Sequence, residues 1–149
     1  MKPTITWILI ADGARARIFA NHGPGKGIEA VEGAEFDSDH RPDREIMSDK
    51  PGRSFESVGA TRHAIQPHHD PHRELKRAFS ERLAAMLDEK LAAKAYDRVV
   101  LVASPVTLGD LRAALSAHVQ AAVYAELDKD LTKTPVAELP QHLGAVLAV

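Results

Sequence analysis

The chain of 149 residues contains no cysteine. Disulfides, thiolate metal sites and cysteine nucleophiles are thereby excluded. It also lacks a long hydrophobic run. The N-terminal apolar stretch extends only from Ile5 to Ala11, far short of the ~20 residues a membrane-spanning helix needs. No small-residue cleavage site precedes Asp12-Gly13, so neither a membrane span nor an export signal is expected, and a cytoplasmic location is the default. Charge of one sign is missing too. With 19 basic and 21 acidic residues the formal net charge is −2, which argues against a polyanion binder driven by total charge but leaves room for a local basic patch. There is no nucleophile elbow of the G-x-S-x-G type. What is present, 44% hydrophobic and 27% charged residues, suits one globular domain over residues 1–149.

The stretch "ITWILIA" (Ile5–Ala11) is apolar on both faces and reads as a central buried strand. Asp12-Gly13 reads as a turn in which glycine supplies a positive φ. "RARIFA" (Arg15–Ala20) and "IEAVEGAEF" (Ile28–Phe36) continue an antiparallel meander. Residues 37–69 show no sustained period, as expected of a long functional loop. A long helix then runs from Pro71 to about Tyr96. Asp70 is its expected cap, Pro71 its first residue, and Leu75, Phe79, Leu83, Met86, Leu87 and Leu91 its apolar stripe. "DRVVLVASP" (Asp97–Pro105) is a buried strand. Thr107 and Asp110 resemble a capping box for one further helix presenting Leu108, Leu111, Leu115 and Val119. "AVYAELDKD" (Ala122–Asp130) is a last strand. Thr134-Pro135 opens a final helical segment that Pro140 breaks or restarts, and the tail "LGAVLAV" packs on the core. The expected class is α/β, a mixed sheet flanked by helices.

Several stretches invite a chemical reading. "HGPGKG" has the glycines of a phosphate loop, but a strand follows it where that motif needs a helix, so it reads as a hairpin loop. "HAIQPHHDPHRELKRAF" (His63–Phe79) holds four of the eight histidines. His68, His69 and His72 with Asp70 could supply zinc ligands. Yet no Glu sits between paired histidines, and Pro71 interrupts the spacing, so a helix start explains the stretch better. From Lys50 to Phe79 six basic residues face three acidic ones, a local excess of three in a chain of net negative charge, which suits an anion. Ser54, Ser57, His63 and Asp70 can be drawn as a triad, but no spacing fixes their geometry. His118 and His142 are expected to be buried packing residues on helices.

The segments "ILIADGARARIFA", "DKPGRSFESVGATRHAI", "DPHRELKRAF", "VVLVASPVTLGDLRAAL" and "ELDKDLTKTPVAELPQHL" together resemble the bacterial host-attachment protein family, in order and over nearly the whole chain. That family is named for a requirement in attachment to host cells and has been grouped with bacterial relatives of the archaeal and eukaryotic release factors. The resemblance implies the single-domain fold of the release-factor central domain, akin to the ribonuclease H architecture. Release factors carry Gly-Gly-Gln in the loop before the long helix. Here that loop has Gly59-Ala60-Thr61, so peptidyl-tRNA hydrolysis is not implied. Pro140 departs from the family's pattern in the final helix.

The expectation is a non-enzymatic cytoplasmic module with no metal and no cofactor. It would bind an anionic partner, RNA or the ribosome, through Arg53, Arg62, His63, His72 and Arg73. Two alternatives stay open. One is a metal-dependent hydrolase or nuclease centred on Asp12 and the loop histidines. The other is a protein-interaction module acting directly in attachment.

Overall fold

The computed structural model describes residues 3–37 and 71–149. Five strands among them form one mixed sheet: β1 (Thr6–Ala11), β2 (Arg15–Asn21), β3 (Glu29–Asp37), β4 (Arg98–Ala103) and β5 (Val123–Asp128), in the spatial order β3-β2-β1-β4-β5. β1 pairs antiparallel with β2, and β2 with β3. β4 lies parallel to β1, and β5 parallel to β4. The expected mixed α/β arrangement is what the chain adopts.

β1 is central because all six of its residues are apolar or small enough to bury, and all are buried. Its alternation divides two cores. Trp7, Leu9 and Ala11 face one layer with Phe79, Leu83, Leu87, Leu108, Leu111 and Val119. Ile8 and Ile10 face the other with Phe19, Val100, Val102 and four leucines from beyond β5, Leu131, Leu139, Leu143 and Leu147. A strand apolar at every position belongs between two covered faces.

The first layer rests on α1 (Pro71–Ala92), which begins at Pro71 as its sequence requires. Phe79, Leu83 and Leu87 are fully buried, as are Ser80 and Ala84 beside them, and Leu75, Met86 and Leu91 are partly so. Asp70, the expected cap, lies outside the described residues. The helix stops at Ala92, four residues before the expected end. Lys94 turns to φ 62°, and its N–H and that of Ala95 close the final carbonyls of Leu91 and Lys90. Tyr96 is then free to stack on Trp7, with ring centroids 4.8 Å apart, and its hydroxyl donates to Leu87 O at 2.7 Å.

The single helix expected after β4 is two. α2 (Pro105–Ala114) starts with Pro105 in its first turn and Ser104 at its cap. A proline whose φ is already helical and whose missing N–H is not needed favours that start. Thr107 and Asp110 therefore sit inside the helix and make no capping box: Thr107 is buried and Asp110 is bonded to Arg73. α3 (Ala117–Ala122) restarts because Ser116 caps it, accepting from Val119 N at 3.2 Å and donating to Asp88 of α1 at 2.8 Å. On the opposite face a 3-10 turn at Val136–Glu138 leads into α4 (Leu139–Leu143), with Pro140 in its first turn. Pro140 thus restarts the segment.

Two further expectations are corrected. His118 is exposed on α3 and His142 is half-buried, because each lies one residue from the buried position, Val119 or Leu143, that meets the core. Gly13 does not adopt a positive φ; what it supplies is space, as described below. The β2–β3 connection is the expected hairpin loop. Gly23, Gly25 and Gly27 all have positive φ, and Asn21 Nδ2 donates across it to Gly27 O at 2.7 Å.

Candidate functional site

The parallel strands β1 and β4, and β5 beside them, end on one edge of the sheet. β3 ends there too, since Asp37 pairs with Arg15 at the start of β2. Clefts outside the carboxyl ends of parallel strands are the usual ligand positions in such sheets. Here a cleft of about 260 Å³ lies between the β1–β2 turn and the first turns of α1, lined by Asp12, Gly13, Ala14, Arg15, His72, Leu75 and Lys76.

The turn is built by Asp12. Its Oδ1 accepts from Ala14 N at 2.8 Å and from Arg15 N at 2.6 Å, while its own N–H donates to Arg15 O at 2.9 Å. That side-chain turn directs Arg15 outward at the lip of the cleft. Thr132, in the segment after β5, stands between two carboxylates, 2.6 Å from Asp130 Oδ1 and 3.3 Å from Asp12 Oδ2. The hydroxyl has one proton, and the shorter distance assigns it to Asp130. Bonds from the Thr132 hydroxyl and backbone N–H hold the Asp130 carboxyl below the usual carboxylate range, against the opposing effect of burial. The same segment is tied to β2 by Arg17, whose Nη2 donates to Leu131 O at 2.6 Å and to Thr134 O at 2.5 Å.

A second, shallower cleft of about 440 Å³ continues past Arg15, lined by Ala16, Arg17, Glu35, Phe36, Asp37 and Thr132. On the α1 side Arg73 is turned toward α2. Its guanidinium grips Asp110 with two bonds, at 2.6 and 2.5 Å. The Asp110 carboxyl is held below its ordinary range, first by the hydrogen bond from Arg73 and then by the fields of Arg73, Arg77 and Lys76, with burial acting the other way.

The sequence candidates divide accordingly. His72 lines the cleft. Arg73 neighbours it but its fork holds Asp110. Arg53, Arg62 and His63 lie outside the described residues, as do His68 and His69. The described ends of that stretch, Asp37 and Pro71, both belong to this edge. Among the described residues no group of three or more His, Asp or Glu side chains could hold a metal ion, and no helix is long and apolar enough to cross a membrane. Arg15 was not singled out by sequence, and Lys76 entered only as one of the six basic residues between Lys50 and Phe79. The available signal was the strand-turn reading of Asp12-Gly13, which marks where a buried strand reaches the edge.

The family model described as "Protein required for attachment to host cells" matches residues 7–143. The chain belongs to that family. The match runs from the second residue of β1 to the end of α4, so all of the first core of this host-attachment family member and all of the second except Leu147 lie within it. No curated protein matches the chain. Eighteen solved chains do. One titled "Archaeal protein" is 12% identical, covers 95% of this chain with a TM-score of 0.45, and is matched over only 37% of its own length.

Proposed function

We propose that this host-attachment family member is a non-enzymatic module whose sheet edge binds an anionic partner, RNA of the translation apparatus being the chemistry it suits. The observation that carries the reading is the cleft at the β1–β2 turn, which Arg15 and Lys76 line from two elements while its lining carboxylate, Asp12, is engaged in holding the turn. The stretch from Lys50 to Phe79 carries six basic residues against three acidic, and its described part opens with His72 at this cleft. Cationic side chains from several elements around one groove are the footprint of a phosphate backbone. The release-factor kinship implied by the sequence resemblance points the same way. The attachment role is then indirect, and the protein is expected in the cytoplasm.

The test is affinity capture of the whole protein from lysate with and without ribonuclease, followed by RNA binding at two salt concentrations. Arg53→Ala combined with Arg62→Ala should leave thermal unfolding unchanged and weaken RNA binding in a salt-dependent way. Capture that ignores ribonuclease, together with RNA binding unchanged in the double variant, would sink the reading. A metal-dependent hydrolase remains the second reading because Asp12 and Asp130 meet at Thr132. It requires stoichiometric metal to survive dialysis against a weak chelator.

A further inference from the structure

A Cβ built on Gly13 would lie 2.5 Å from Lys76 Cγ and 2.8 Å from Lys76 Cδ. The Lys76 stem therefore crosses the turn where any other residue would place its first side-chain carbon. Gly13 has no positive φ, so what glycine supplies here is space for the Lys76 stem and not a special backbone conformation. The missing side chain leaves room for the stem of the exposed Lys76, which is among the residues lining the cleft.

We propose that the 12–15 turn and Lys76 form a seat for one phosphodiester group of RNA, with Arg15 and Lys76 as its cations and Gly13 as the positioning residue that sets Lys76. The inference rests on the reading of this edge as an RNA-binding surface. Size and charge define the occupant. A cleft of about 260 Å³ falls just below the usual range for ligand pockets and takes one group, not a folded ligand. Arg15 and Lys76 line the cleft with Asp12, whose Oδ1 already accepts two backbone N–H groups, and Asp130 stands beyond Asp12 across Thr132. Two cations set against these carboxylates match a monoanionic diester better than a phosphomonoester, which carries about −1.5 to −2 at neutral pH.

The experiment uses the full chain and a short single-stranded RNA without terminal phosphates, titrated by anisotropy at several salt concentrations, with inorganic phosphate as competitor. Lys76→Ala should weaken binding and lower the salt slope by about 1. Gly13→Ala should displace Lys76 and weaken binding comparably, yet add nothing in the Lys76→Ala background, where the colliding atoms are gone. Lys76→Arg should retain the salt slope. Inorganic phosphate should compete no better than chloride at equal ionic strength.

A full additional loss from Gly13→Ala in the Lys76→Ala background would make Gly13 a structural turn residue only, and overturn its positioning role. An unchanged slope in Lys76→Ala, with the parent still binding, would overturn the seat and leave the RNA reading standing. Displacement by submillimolar phosphate would make the seat a phosphomonoester site. Absence of RNA binding by the parent would overturn both proposals. Should Gly13→Ala fail to fold, Lys76→Ala and Lys76→Arg still decide the seat.

Discussion

Tyr96 joins the end of α1 to the sheet with one hydroxyl and one ring face. Burial, and secondarily the charge of Asp88, pushes its phenol up to about 12. The sign follows directly. The folded pKa lies above the unfolded value of about 10, so the contribution is complete below pH ~10 and is lost as pH rises through about 12. With Tyr124→Phe removing the other tyrosine, phenolate absorbance should belong to Tyr96 and develop near pH 12; development near pH 10 would contradict its burial. Tyr96→Phe keeps the stack on Trp7 and removes only the bond to Leu87 O, at a cost of about 1 kcal/mol in urea unfolding. Phe79 is a heavier loss. At 2% exposure in the first core, truncation to Ala should cost roughly 3–5 kcal/mol, and a loss under about 1 kcal/mol would mean that it is not core. Phe79 was legible from its spacing along the helix. Gly13 was legible as a turn residue but for the wrong reason, since Lys76 lies 63 positions away and no local pattern shows that its stem needs the space.

α1 and α2 are held to one another by the Arg73–Asp110 fork. The Asp110 carboxyl is depressed, so its contribution is present above the unfolded pKa of about 3.9 and lost as pH falls through the lower folded value. Asp110→Asn should therefore cost about 1 kcal/mol near neutrality, a modest figure because Arg73 is a third exposed. The cost should vanish at the acid end of a urea-midpoint series. An identical pH profile for parent and variant would show that the fork contributes nothing. This pairing also explains which elements could be read in advance. The long helix and the buried strands announce themselves by period. The division between α2 and α3 does not, because Leu108, Leu111, Leu115 and Val119 keep helical spacing across the break. The break is made by Ser116 capping α3 and bonding Asp88, a long-range contact that spacing alone cannot reveal. Asp110 looked like a capping residue for a similar reason: its partner comes from another helix.

For the molecule as a whole, the two faces of the sheet are covered by different means, and this places the candidate site. Among the described residues one face carries three helices; the other depends on the chain beyond β5, where Leu131, Leu139, Leu143 and Leu147 cover Ile8, Ile10, Phe19, Val100 and Val102. The segment that brings those leucines back is the one whose Thr132 meets Asp12 and whose Leu131 and Thr134 carbonyls are held by Arg17. Closing the second core and completing the candidate edge are thus one structural event. The sequence showed the apolar tail and the turn separately; only the fold connects them. Ending the chain after Asp128 should uncover five large apolar side chains at once, and the product should lack a cooperative thermal transition and aggregate on size-exclusion chromatography. Leu139→Ala and Leu143→Ala, each at a fully buried position, should cost roughly 2–5 kcal/mol apiece. Because they lie in the core and not at the edge, the proposed RNA binding should be unchanged in both variants below their lowered melting temperature. A shortened chain that still unfolds cooperatively as a monomer would show that the sheet does not need this cover, and would separate the edge from the core beneath it.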